Sequence, residues 1–192
     1  MRDKVIATLK ESADTKLRSA EVLADDVAKV AEVIIASLRK GGTVAFCGNG
    51  GSAADAQHLA GELIGRFLRE RPAFSAIALT TDSSILTAIG NDYGFDQVFS
   101  RQVEGLLRSG DVLIAISTSG TAQDVIKAVE MAKAKGVFTV AFTNSDGGPL
   151  AAQADLPLRV PSKVTARVQE VHITIGHAIC DLVEEALAAD SP

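Results

Sequence analysis

The chain has 192 residues, 47% of them hydrophobic and 22% charged, with a formal net charge of −5. That length fits one domain with a sizeable core, and 16 glycines and 5 prolines are too few for a long disordered tail. The acidic balance argues against a surface that neutralises nucleic-acid phosphates, while leaving room for a local site that holds a single phosphate.

Met1 is followed by charged residues, without the apolar core of a signal peptide, and no apolar run approaches the roughly 20 residues of a membrane span. A cytoplasmic protein with no membrane segment is expected. Residues 3–39 have apolar side chains at helical spacing (Val5, Ile6, Leu9, then Val22, Leu23, Val27, Val30, Val33, Ile34, Leu38), which predicts helix, read as two helices ending at Gly41 and Gly42.

Five short apolar runs follow, at 43–47, 76–80, 112–116, 138–142 and 156–160. Most are continuous in apolar residues, as strands buried on both faces of a parallel sheet are. Helices are predicted between them at about 53–67, 97–107 and 122–135, and a last one from about 165 to 188. The alternation implies a three-layer α/β/α sandwich on a five-stranded parallel sheet, with extra N-terminal helices over 1–40 and an α/β core with its C-terminal helix over 41–192, all one domain. Cys47 and Cys180 form no CxxC pair and are expected to be reduced, buried thiols.

Ligands in such sheets bind beyond the carboxyl ends of the strands. The first run ends in GNGGSAADAQH, residues 48–58. Its glycines let backbone N–H groups approach an anion, and the next helix offers its positive end. Gly48, Gly50 and Ala53 also fit a dinucleotide pattern, but the acidic residue that pattern requires is misplaced: Asp82 lies 34 residues after Gly48, against the usual spacing of about 20. The third run ends in STSGT, residues 117–121, hydroxyl-rich and again before a helix; these groups suit either a phosphate monoester or simple helix capping. No Walker-type lysine is present.

Only three histidines exist: His58, His172 and His177. His58 and Glu62 stand about 40° apart on one helical face, and Gln169 and His177 about 80° apart on the last helix. Two imidazoles, a carboxylate and an amide are plausible ligands for a borderline metal, although each histidine could equally be structural.

The motifs GNGGSAADAQHLAGE (48–62), ALTTDSSILTAIGNDYGFDQVFSRQVE (78–104), GDVLIAISTSG (110–120) and VPSKVTARVQEVHITIGHAICDLVE (160–184) make the chain resemble, nearly end to end, the phosphoheptose isomerases of the SIS (sugar isomerase) superfamily. The resemblance implies the flavodoxin-like SIS fold and an enzyme converting sedoheptulose 7-phosphate to D-glycero-D-manno-heptose 7-phosphate, the first step of bacterial heptose synthesis for lipopolysaccharide and other surface polysaccharide. It implies Glu62 as base and His177 as acid, and one zinc ion per subunit on His58, Glu62, Gln169 and His177. Substrate contacts would come from Asn49, Gly50, Gly51, Ser52, Glu62, Asn91, Asp92, Ser117, Thr118, Ser119 and Gln169. It gives His172 no role, and implies a homotetramer with sites at subunit interfaces. The chain departs from the common SGNS text at SGTA, so Ala122 replaces a substrate-touching serine and Thr121 is the neighbouring hydroxyl. The alternative is a non-catalytic relative that binds the replication initiator or senses a phosphosugar. The initiator-binding relatives lack the Glu and His found here at 62 and 177, and the phosphosugar-sensing ones are normally attached to a DNA-binding or synthase domain.

Overall fold

The computed structural model describes residues 1–188; the last four residues of the predicted domain, 189–192, lie outside the described residues. One helix, α1 (Arg2–Arg39), precedes β1 (Val44–Gly48), α2 (Gly51–Ile64), β2 (Ala76–Ala78), α3 (Ser83–Asp92), α4 (Ser100–Leu106), β3 (Val112–Ile116), α5 (Gln123–Ala134), β4 (Phe138–Thr143), α6 (Gly148–Gln153), β5 (Leu156–Arg159) and α7 (Thr165–Ala188). The five strands form a single parallel sheet in the order β2-β1-β3-β4-β5.

Strand periodicity divides the core in two. The row Phe46, Ile114 and Val140, in register across β1, β3 and β4, faces α1, α2 and α7. The next row, Cys47, Ala115 and Ala141, faces the layer containing α4 and α5. β1 and β3 are buried throughout, as their unbroken apolar runs predicted. Both cysteines are buried and free; burial pushes the Cys180 thiol up to about 12 and the Cys47 thiol higher still.

Three expectations are corrected. The two N-terminal helices are one helix of 38 residues, about 57 Å long. No Gly or Pro interrupts it, and the polar residues in its middle bond back to their own helix, Thr15 Oγ1 to the Glu11 carbonyl and Ser19 Oγ to the Thr15 carbonyl. The helix predicted at 97–107 starts at Ser100, after a 3-10 turn at Phe95–Gln97. α3 and α6 were not anticipated. α3 carries its signal in Asp82, whose side chain accepts from the Ile85 N–H at 2.9 Å, but none of its residues is fully buried and only Leu86 and Ile89 pack, partly exposed, on the core.

α2 and α7 lie side by side on one face of the sheet. A Cβ at Gly176 of α7 would lie 2.6 Å from a Leu59 methyl on α2, so the bare glycine sets how closely the two helices approach.

Candidate active site

The sheet order reverses between β1 and β3, and the two glycine- and hydroxyl-rich loops leave the carboxyl ends of those strands. Gly48 pairs with Ile116 at the ends of the two strands. A side chain at Gly48 would meet the Ile116 carbonyl at 2.8 Å, and Gly50 has a φ of +56°, so the turn needs both glycines.

Neither following helix is capped by a side chain. The N-cap of α2 is Gly50 and that of α5 is Ala122. The hydroxyls of the STSGT loop therefore do not cap α5, and the positive ends of both helices remain for an anion. Within that loop Ser117 is buried and its Oγ accepts from the Gly120 N–H at 3.2 Å. Thr118 is half-buried, and Ser119 and Thr121 are exposed with their hydroxyls 2.8 Å apart. Thr121 thus sets its hydroxyl against Ser119. Asn49 ties the loops together by donating from Nδ2 to Asp124 Oδ2 at 2.8 Å. Ser52 is buried in the first turn of α2. The Gln169 carboxamide lies against Gly51, where a Cβ would come within 2.6 Å of its Nε2.

Two turns along α2 the chemistry changes. His58 Nε2 lies 2.8 Å from His177 Nε2 and 3.1 Å from Glu62 Oε1. One ligand atom from each of the three residues lies within 4.8 Å of the others. The His58 side chain is 49% exposed and that of Glu62 22%, so the cluster opens to solvent at one side. Two imidazole nitrogens and a carboxylate oxygen converging on one point are the donor set of a borderline divalent metal, and these residues fit one. The Phe67 ring stacks on His177, with centroids 5.4 Å apart and planes 25° apart.

Asn91 and Asp92 lie at the exposed end of α3, where Asn91 Nδ2 donates to Asp92 Oδ1 at 2.7 Å. His172 belongs to the core: it is fully buried, its Nε2 is 3.3 Å from the Thr143 carbonyl oxygen, and burial pushes its pKa down to about 4.

Three residues of the site escaped the sequence reading. Asp55 sits on α2 three residues before His58, with a buried Oδ2 that has no hydrogen-bond partner among the described residues. Burial pushes its carboxyl upward, and the nearby His58 and His177 pull it back. The face shared by positions 55, 58 and 62 was the available signal. Asp124 could have been noticed as an acid in the first turn of α5. Phe67 has no local signal, because it lies in an irregular segment after α2.

A SIS-domain family model matches residues 9–144. The phosphoheptose isomerase of Rhodospirillum rubrum is 52% identical over 98% of this chain and 100% of its own length. That of Aquifex aeolicus is 51% identical over the whole of both. The solved structure of phosphoheptose isomerase from Neisseria gonorrhoeae superposes with a TM-score of 0.91 at 46% identity, covering 96% of this chain and 98% of that one.

Proposed function

We infer the function from one premise: the chain belongs to the phosphoheptose isomerase family of SIS-domain proteins. It is an aldose–ketose isomerase that converts sedoheptulose 7-phosphate to D-glycero-D-manno-heptose 7-phosphate in heptose synthesis. The observation that carries the residue assignments is the convergence of Glu62 with His58 and His177, on helices whose neighbouring loops present two uncapped helix ends.

The loops hold the phosphate: Ser117, Thr118 and Ser119 from β3, with Asn49, Gly50, Gly51 and Ser52 from β1, supply hydroxyl and N–H donors. Binding energy from that remote group orients the reacting carbons. Glu62 removes a proton from C1 while His177 delivers one to the C2 oxygen, giving the enediol. Glu62 then returns its proton to C2, and His177 recovers one from the C1 hydroxyl, so the cycle closes with no net proton change. Gln169, against the β1 loop, contacts the sugar, and Asn91 and Asp92 add contacts from α3. The alternative of a non-catalytic binding protein is disfavoured by the presence of Glu62 and His177.

His58, Glu62, Gln169 and His177 are the proposed zinc ligands, one ion per subunit. When bound, zinc supplies Lewis-acid stabilisation of negative charge developing on the sugar oxygens. A homotetramer with sites between subunits is supported by the apolar residues α1 leaves exposed: Val5 at 58%, Leu9 at 65%, Leu17 at 66% and Val22 at 60%. A cytoplasmic location is in keeping with a chain in which, among the described residues, no helix is long and apolar enough to cross a membrane.

The test is a direct assay with sedoheptulose 7-phosphate, identification of the product, and sedimentation of the active species. Metal-loaded protein that leaves the substrate unchanged would overturn the isomerase reading. A fully active species of about 20 kDa would overturn the tetramer.

A further inference from the structure

The segment between α2 and β2, residues 65–75, has no helix or strand, yet three of its backbone N–H groups are fastened to one buried carboxylate. Its anchor is Glu184 of α7, whose side chain is fully buried. Glu184 Oε1 accepts from the Phe67 N–H at 2.8 Å, and Oε2 accepts from the Leu68 and Arg69 N–H groups at 2.7 Å each. Burial alone would push this carboxyl up, but the three N–H donors and the nearby Arg71 charge hold it below its ordinary value. Arg71 is buried as well and donates from Nε to Glu184 Oε1 at 3.2 Å. Its other nitrogens reach back to the end of α2, with Nη2 on the Glu62 carbonyl at 2.8 Å and Nη1 on the Leu63 carbonyl at 2.8 Å and the Gly65 carbonyl at 3.2 Å.

The last carbonyls of a helix lack partners within it. Here one guanidinium satisfies two of them, those of Glu62 and Leu63, and thereby fixes the backbone of Glu62. The same carboxylate that holds this guanidinium also holds the Phe67 N–H, and the Phe67 ring lies flat on His177. A buried pair with every lone pair used has little freedom to rearrange.

We propose that Glu184, Arg71 and Phe67 are positioning residues for the reaction: the buried Glu184–Arg71 pair fixes the Glu62 backbone at one end and, through Phe67, the plane of the His177 ring at the other. This rests on the reading of Glu62 and His177 as base and acid. The three residues touch neither substrate nor reacting atoms. They set the geometry within which a displacement of about 1 Å costs on the order of a hundredfold in rate.

The decisive variant is Phe67→Leu, which keeps an apolar side chain of similar reach and removes the stacked ring. It is measured in metal-loaded protein with labelled histidine, alongside Phe67→Tyr, Glu184→Gln and His177→Gln. The ring protons of His177, assigned by their loss in His177→Gln, carry an upfield ring-current shift from Phe67. In Phe67→Leu that shift disappears and kcat falls about tenfold, with KM within about twofold of the parent. Phe67→Tyr restores both. Glu184→Gln, where it folds, moves shift and kcat in the same direction as Phe67→Leu; where it does not fold, Phe67→Leu decides alone. An unchanged kcat in Phe67→Leu, or a lowered kcat with the His177 shift intact, overturns the proposal. If His177→Gln itself keeps full activity, the assignment of the acid has failed instead, and the shift still reports whether Phe67 sets the ring.

Discussion

The two ends of the site are built by different means. The anchoring end is made of loops, and apart from the Asn49–Asp124 bond and the approach of Gln169 to Gly51 its side-chain contacts are short in sequence: Gly120 N–H to Ser117 Oγ, Thr121 N–H to Ser119 Oγ, Asp146 and Gly147 N–H to Asn144 Oδ1 beside it. The chemical end is made of side chains far apart in the chain. His58 meets His177 across 119 residues, and Glu184 meets Phe67 across 117. A local turn survives the loss of one hydroxyl, whereas a constellation assembled by helix packing depends on every member. Substitutions at the chemical end should therefore act on kcat and metal, and those at the anchoring end on KM.

The sharpest way to break this contrast is Glu62→Gln. It removes the proposed proton acceptor with almost no change of shape, so kcat should fall on the order of 10²–10⁴-fold while the thermal midpoint stays close to that of the parent. Near-parental turnover would remove Glu62 from the chemistry.

His58→Ala should lower bound metal and activity together, by at least about tenfold in metal affinity. Elemental analysis beside a rate measurement checks it, and protein stripped by a chelator with full activity retained would refute a catalytic metal.

Ser119→Ala tests the other end. The proposed phosphate contact would serve substrate and transition state alike, so its loss should raise KM about five- to thirtyfold at similar kcat. If kcat falls and KM does not, the division between the two ends is wrong.

Ala122→Ser sharpens it in the opposite direction. The added hydroxyl stands at the uncapped start of α5, so the midpoint should rise by a few degrees and KM should fall a few-fold. A higher midpoint with unchanged KM would mean that the hydroxyl caps the helix without touching phosphate.

The smallest effect concerns His172. Its folded pKa of about 4 lies below the ordinary value of about 6.5, so the unfolded chain binds the extra proton between those pH values. Stability from this residue is complete above about pH 6.5 and declines as pH falls toward 4. His172→Gln, which can still donate to the Thr143 carbonyl, should flatten melting temperature against pH in that window; an unchanged slope would show that other groups govern it.

The same contrast explains what could be read without coordinates. The strands, α7 and the two loops were legible because each announces itself within a dozen residues, by an apolar run, a helical period or glycines at a strand end. The pairing of His58 with Glu62 was legible for the same reason, four residues along one helix. That His177 joins them and His172 does not follows from which face of α7 meets α2, and five residues of spacing do not settle that. α3 was missed because its cap at Asp82 is followed by only a short apolar pair, Leu86 and Ile89, partly buried on the core. Phe67 and Glu184 lie 117 residues apart with nothing in either neighbourhood to connect them.

The distance between the proposed base and the proposed acid is set by a place where nothing stands. His58 and Glu62 ride on one helix and His177 on another, and the gauge between those helices is the missing side chain at Gly176, pressed against Leu59. A single added methyl would work as a shim. It would leave both loops and the three converging side chains chemically intact and still move one helix's cargo away from the other's, so tolerance at the active site is being kept by a residue that carries no functional group at all.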